Sequence, residues 1–158
     1  MIYSKIKLVG LQLGCVFLMI IVGISMIGWL IQGASLAQMF LELAHMRMIM
    51  SILVVLIHSV VIAILMIGVV ILQSIKFKSV FTDHNIQRFK LISYFSLFEI
   101  ALFVSVIIYT NMNMVGAITN VHAFLGAVVF LLVALLFQLF AALFDNAKNY
   151  KQEVELTV

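Results

Sequence analysis

Val121-His-Ala-Phe-Leu-Gly-Ala-Val-Val-Phe-Leu-Leu-Val-Ala-Leu-Leu-Phe-Gln-Leu-Phe-Ala-Ala-Leu-Phe144 contains no Asp, Glu, Lys or Arg. At 1.5 Å per residue a helix of this length reaches about 36 Å, more than the roughly 30 Å of hydrocarbon in a bilayer. Within lipid a single segment can satisfy its own backbone only as a helix. Val and Ile favour strands in water, but here length overrides propensity. The stretch reads as a membrane span.

Three more stretches of this kind lie upstream: Leu8–Ile31, Met48–Leu72 and Leu91–Thr110. Of the 158 residues, 66% are hydrophobic and 9% charged, where a soluble domain has about 45–50% and about 25%. Four spans and short connections use up the chain, so the expectation is one all-α domain, a polytopic membrane protein built as a four-transmembrane-helix bundle. The first stretch follows Lys5 and Lys7 and has small residues at Ser35 and Ala37, as a signal peptide would. A signal core has about 7–15 apolar residues, so Leu8–Ile31 is too long and reads as a true span. Cys15 is the only cysteine, which leaves no intramolecular disulfide or zinc cluster. Proline is absent, which favours straight helices over broken ones.

Charge predicts orientation. Of the nine cations, Lys5, Lys7, Lys76, Lys78, Arg88, Lys90, Lys148 and Lys151 fall at the two ends or in loop 73–90, and Arg47 alone falls elsewhere. By the positive-inside rule, both termini, loop 73–90 and tail 145–158 face the cytoplasm across the cell membrane. In the outer connection, Leu36, Met39, Phe40, Leu43 and Met46 recur at helical spacing. They form either an amphipathic helix over 32–47, lying on the outer membrane surface or packed over the bundle, or an extension of span two. The segment 111–120 reads as a short polar turn.

Few polar residues lie within the spans. By rise per residue, Glu99 falls about 2 Å from the bilayer centre and His58 about 4 Å to its outer side. Intramembrane ionisable groups point to function by default. The two residues form either a carboxylate–imidazole relay or sensor, or Glu99 is a protonated hydrogen-bond link between helices. His58 and His122 differ in depth, and His45 and His84 lie on opposite sides, so no metal, haem or other cofactor is expected. In span four Ala127, Ala134 and Ala141 repeat every seven residues, with Leu131, Gln138 and Asp145 assigned to the same stripe. That pattern suits close helix approach, with Gln138 pointing into the bundle. Gly10 and Gly14 form one small-xxx-small pair.

In loop 73–90, Thr82 is an N-cap, Asp83 favours the helix dipole and Phe81 can staple onto Ile86. The loop cations suit an anionic inner leaflet. In the tail, Val154, Leu156 and Val158 alternate with Glu153, Glu155 and Thr157. Period two fits a strand that adds to a partner's sheet edge; a frayed terminus is the alternative.

Two motifs carry a family resemblance. Phe81, Thr82, Asn85, Ile86, Arg88 and Lys90 before span three, and Glu155, Leu156, Thr157 and Val158 at the close, resemble the bacterial family catalogued as domain of unknown function 2975. Phe89 stands where that family usually has Leu, and Glu155 where Asp is more usual. The likeness is best over 80–158 and elsewhere rests on span layout. It implies a small four-span protein, often encoded beside a helix-turn-helix regulator.

No nucleophile–base pair, metal-ligand spacing or phosphate loop stands out, so no enzyme activity is expected. The leading expectation is a regulatory or sensor partner of a cytoplasmic protein, with Phe81, Thr82, Asn85, Arg88, Lys90 and Glu155–Val158 as its docking surface. Immunity against a membrane-active toxin and a small transporter or proton-linked sensor using Glu99 and His58 are the alternatives. The expected partners are the lipid bilayer and a cytoplasmic regulator, with a homo-oligomer open and no direct contact with nucleic acid.

Overall fold

The computed structural model describes residues 2–76, 82–113 and 118–156, with side chains for 6–75, 82–113, 118–150 and 152–154. The described residues are helical almost throughout. Helix α1 spans Ile2–Met39, a 3-10 helix spans Leu41–Met46, and α2 spans Arg47–Lys76. Helices α3 and α4 span Asp83–Asn113 and Ile118–Leu156. All four long helices are apolar and long enough to cross a membrane. Large apolar side chains such as Leu132, Phe124 and Ile24 remain exposed around them. Lipid is the solvent that makes such a surface stable.

The helices pack in chain order: α1 on α2, α2 on α3, and α3 on α4 in the most extensive contact. α3 is the hub. Asn85, Phe89, Ile92, Ser96, Glu99, Val106 and Thr110 are all buried. Together with half-buried Phe103 they advance by alternating steps of four and three, the seam spacing of a left-handed helix pair. The apolar core joins Ile71 of α2 and Ile86, Phe89 and Ile92 of α3 to Ala141 of α4. Phe89 meets the rings of Phe137, Phe140 and Phe144 at centroid distances of 6.0, 6.0 and 4.9 Å. By contrast α1 buries none of its described side chains deeply.

Several sequence expectations change here. The outer connection is neither a long surface helix nor a plain extension of span two. α1 itself continues to Met39, and the 3-10 helix then joins α2 directly. The polar turn is shorter than 111–120, because α3 runs to Asn113 and α4 resumes at Ile118. The tail is not a strand: α4 continues as helix to Leu156. Alternation over six residues carries little weight against a helix already nucleated, in which each added residue gains a hydrogen bond.

Candidate functional site

Glu99 sits on the buried stripe of α3 with 0% exposure. Neither of its carboxyl oxygens has a hydrogen-bond partner among the described residues. The expected pair with His58 does not form. His58 turns toward α1 instead: Nδ1 lies 2.8 Å from the Val54 carbonyl and Nε2 lies 3.4 Å from the Ser25 hydroxyl. A carbonyl only accepts, so Nδ1 donates to Val54. His58 thus links α2 to α1, and Glu99 stays buried on α3. Among the described residues the interhelical link expected of Glu99 is absent too.

Its neighbours on the stripe are satisfied locally or across helices. Ser96 donates back to Ile92 at 2.8 Å, and Ser93 donates to the Ala134 carbonyl of α4 at 3.0 Å. Thr110 is 2% exposed and its hydroxyl has no partner among the described residues. None of Ser93, Ser96 and Thr110 was singled out by sequence reasoning. The four-three spacing that runs from Asn85 through Glu99 to Thr110 was the signal that would have found Ser96 and Thr110.

Gln138 does not point into the bundle. It is exposed, as are Leu131 and Asp145, whereas Ala134 and Ala141 are 2% exposed. The half-buried side chains beside these alanines are Phe130, Phe137 and Phe144, also seven residues apart. The larger rings take the inner side of the alanine stripe because they bury more apolar area, which leaves the Gln138 side outside.

The motif before span three caps α3 and ties it to α2. The Thr82 carbonyl and hydroxyl accept from the Asn85 amide at 3.0 and 3.4 Å, capping α3 as expected. Asn85 is 1% exposed. Arg88 is half-buried and donates to the Asn85 side-chain oxygen at 2.8 Å and to Ser74 of α2 at 2.9 Å. Arg88, with the buried Asn85 as its second acceptor, therefore braces α2 against α3. Lys90 is exposed. Phe81, Thr157 and Val158 lie outside the described residues, and Glu155 and Leu156 belong to the last turn of α4.

At the same end, Lys148 of α4 pairs with Asp83 at 2.5 Å. Asp83 begins α3, which at about 46 Å overshoots the hydrocarbon, and its side chain is 67% exposed. The hydrogen bond and charge of Lys148 hold the Asp83 carboxyl below its ordinary value of 3.8.

Hollows open among the described residues. One, of about 370 Å³, lies between α3 and α4 and is lined by Lys90, Ser93, Tyr94, Gln138, Ala141, Ala142 and Asp145. Another, of about 510 Å³, lies at the opposite end, where Trp29, Phe40, Met46, Arg47, Thr110 and Thr119 contribute to its walls. It is largely apolar and within the usual ligand range of about 300–1,000 Å³.

No curated protein and no solved structure matches the chain. The family model described as protein of unknown function (DUF2975) matches residues 29–158, and the chain belongs to that family.

Proposed function

We propose that this chain is a membrane-bound regulatory or sensor partner of a cytoplasmic protein, of the helix-turn-helix class implied by the family resemblance. One observation carries the reading. α4 is a single helix from Ile118 to Leu156, about 58 Å long against roughly 30 Å of hydrocarbon. Its first turn contributes Thr119 to the larger hollow, and its last turns, beyond Asp145, carry polar residues out of the membrane. Half-buried Ala147 and exposed Tyr150 and Val154 follow a three-four spacing along that projection. This is the pattern of a helix that lies in a partner's groove. With both termini cytoplasmic, as the charge distribution predicts, the helix projects toward a cytoplasmic regulator. A ligand at one end of α4 and a protein at the other would then share one rigid element.

The test is affinity recovery from solubilised membranes, using the intact chain and a Tyr150→Ala, Val154→Ala variant. The expected outcome is a cytoplasmic DNA-binding protein recovered with the intact chain and lost with the variant, at unchanged membrane insertion. Identical recovery with both, or none with either, overturns the reading.

A further inference from the structure

We propose that the groove between α3 and α4 near Lys90 and Asp145 binds a zwitterionic phospholipid of the phosphoethanolamine class. The groove holds two opposite charges that do not neutralise each other. Lys90 and Asp145 both line it and both are exposed. Neither has an ion-pair or hydrogen-bond partner among the described residues. A cation on the α3 wall and an anion on the α4 wall fit a headgroup that carries both charges, its phosphate on the Lys90 ammonium and its primary ammonium on the Asp145 carboxylate. An anionic headgroup would satisfy Lys90 and leave Asp145 facing like charge.

The polar groups also lie in the right order of depth. Tyr94 is one helical turn further into the membrane than Lys90, about 6 Å, and Gln138 is two turns inside Asp145, about 10 Å. Both are exposed donors lining the groove. In a phospholipid the ester carbonyls follow the phosphate inward, where the Gln138 amide and Tyr94 hydroxyl can donate to them. Beyond these the surface is apolar, with Leu97 and Leu135 exposed, as acyl chains require. Ser93, Ala141 and Ala142 form a small-residue floor, and Ser93 is already engaged with Ala134. The site gives exposed Gln138 a reason to stand on a lipid-facing surface, where an unsatisfied amide is costly. A second copy of the chain fits less well, because a two-fold contact through this face would set one concave groove against another.

The test is native mass spectrometry of the full chain with added dioleoyl lipids bearing phosphoethanolamine, phosphocholine or phosphoglycerol heads. Phosphoethanolamine should bind tighter than phosphoglycerol by roughly two- to fivefold, the range of one exposed ion pair. Phosphocholine should rank below phosphoethanolamine because its quaternary ammonium donates no hydrogen bond. Asp145→Asn should erase the preference over phosphoglycerol, and Lys90→Ala should weaken both lipids. Both positions are exposed, so unchanged thermal midpoints without added lipid serve as the folding control. Equal binding of the three headgroups by the unmodified chain overturns the proposal without reference to any variant. So does an undiminished preference in Asp145→Asn, or a lipid-independent dimer that Gln138→Leu disperses.

Discussion

Ser93 donates its hydroxyl to the main-chain carbonyl of Ala134 at 3.0 Å, across the interface of α3 and α4. Such a bond needs close backbones, which the small side chains of Ala134 and Ala141 allow. Ala134→Leu should therefore force the helices apart and cost about 1–3 kcal/mol. Ser93→Ala should cost less, on the order of 0.6 kcal/mol, as membrane hydrogen bonds do. Unfolding in mixed micelles, with both variants in parallel, checks the ranking.

Gly126 faces the ring of Phe103, and a Cβ built there would lie 2.6 Å from its tip. Phe103 also packs against Phe130 at a centroid distance of 5.9 Å, so the ring can yield only by disturbing that pair. Gly126→Ala should destabilise the chain by about 1–3 kcal/mol despite the higher helix propensity of alanine. An unchanged or raised midpoint would show that the ring moves freely.

For Glu99 the expected outcome follows from its unpaired oxygens. A side chain that links helices is missed when replaced by Leu; one with no partner is not, because removing it also removes the cost of burying a polar group. Glu99→Leu should match or exceed the stability of the unmodified chain. If the variant also loses partner recovery, Glu99 belongs to signalling; a clear loss of stability would restore the helix-linking role.

How much of this was legible in the sequence depended on which force decided each feature. The spans follow from length and hydropathy, which no tertiary contact can override in lipid, so Val121–Phe144 was readable without a neighbour in view. The rotation of each helix was not. Gln138 and Phe137 are adjacent, and either could be assigned to the alanine stripe. Only the competition of Phe130, Phe137 and Phe144 for the α3 surface sends Gln138 outward. His58 likewise meets Ser25 of α1 rather than Glu99, and that choice depends on how α2 is turned. The motif around Asn85 was visible, but its burial was not, because a buried asparagine is set by the partner Arg88 rather than by its own polarity.

Orientation has a direct check. Eight of nine cations flank one side of the spans by sequence position, so a reporter active only in the cytoplasm should work after Val158 and within loop 73–90. It should fail between Asn113 and Ile118. Activity at that last position would reverse the expected orientation or remove one span.

Asp83 supplies a pH dependence. Its carboxyl is held below 3.8 in the folded chain by Lys148. A depressed folded value means that stability from the pair is fully present above the unfolded value and is lost as pH falls through the folded one. The pair should therefore contribute at neutral pH and fade as pH falls below 3.8, the ordinary value of the carboxyl. Lys148→Ala should return the Asp83 titration toward 3.8, as followed by carboxyl chemical shift. High salt should produce part of the same change, since the carboxylate is exposed and screened.

Arg88 separates scaffold from docking surface. One of its terminal nitrogens donates to both Ser74 of α2 and the buried Asn85 of α3. Removing it leaves the Asn85 side-chain oxygen without that donor in a nearly dry setting, a loss on the order of 1–3 kcal/mol. Arg88→Ala should accordingly lower the unfolding midpoint and loosen α2 against α3, with faster amide exchange around Ser74 and Asn85. Lys90→Ala, two residues on but exposed, should leave both readouts unchanged. A docking role predicts another pattern: both variants would weaken partner recovery, and neither would alter stability. If Arg88→Ala proves as stable as the unmodified chain, the brace is not what the motif provides, and the segment returns to candidacy as a binding surface.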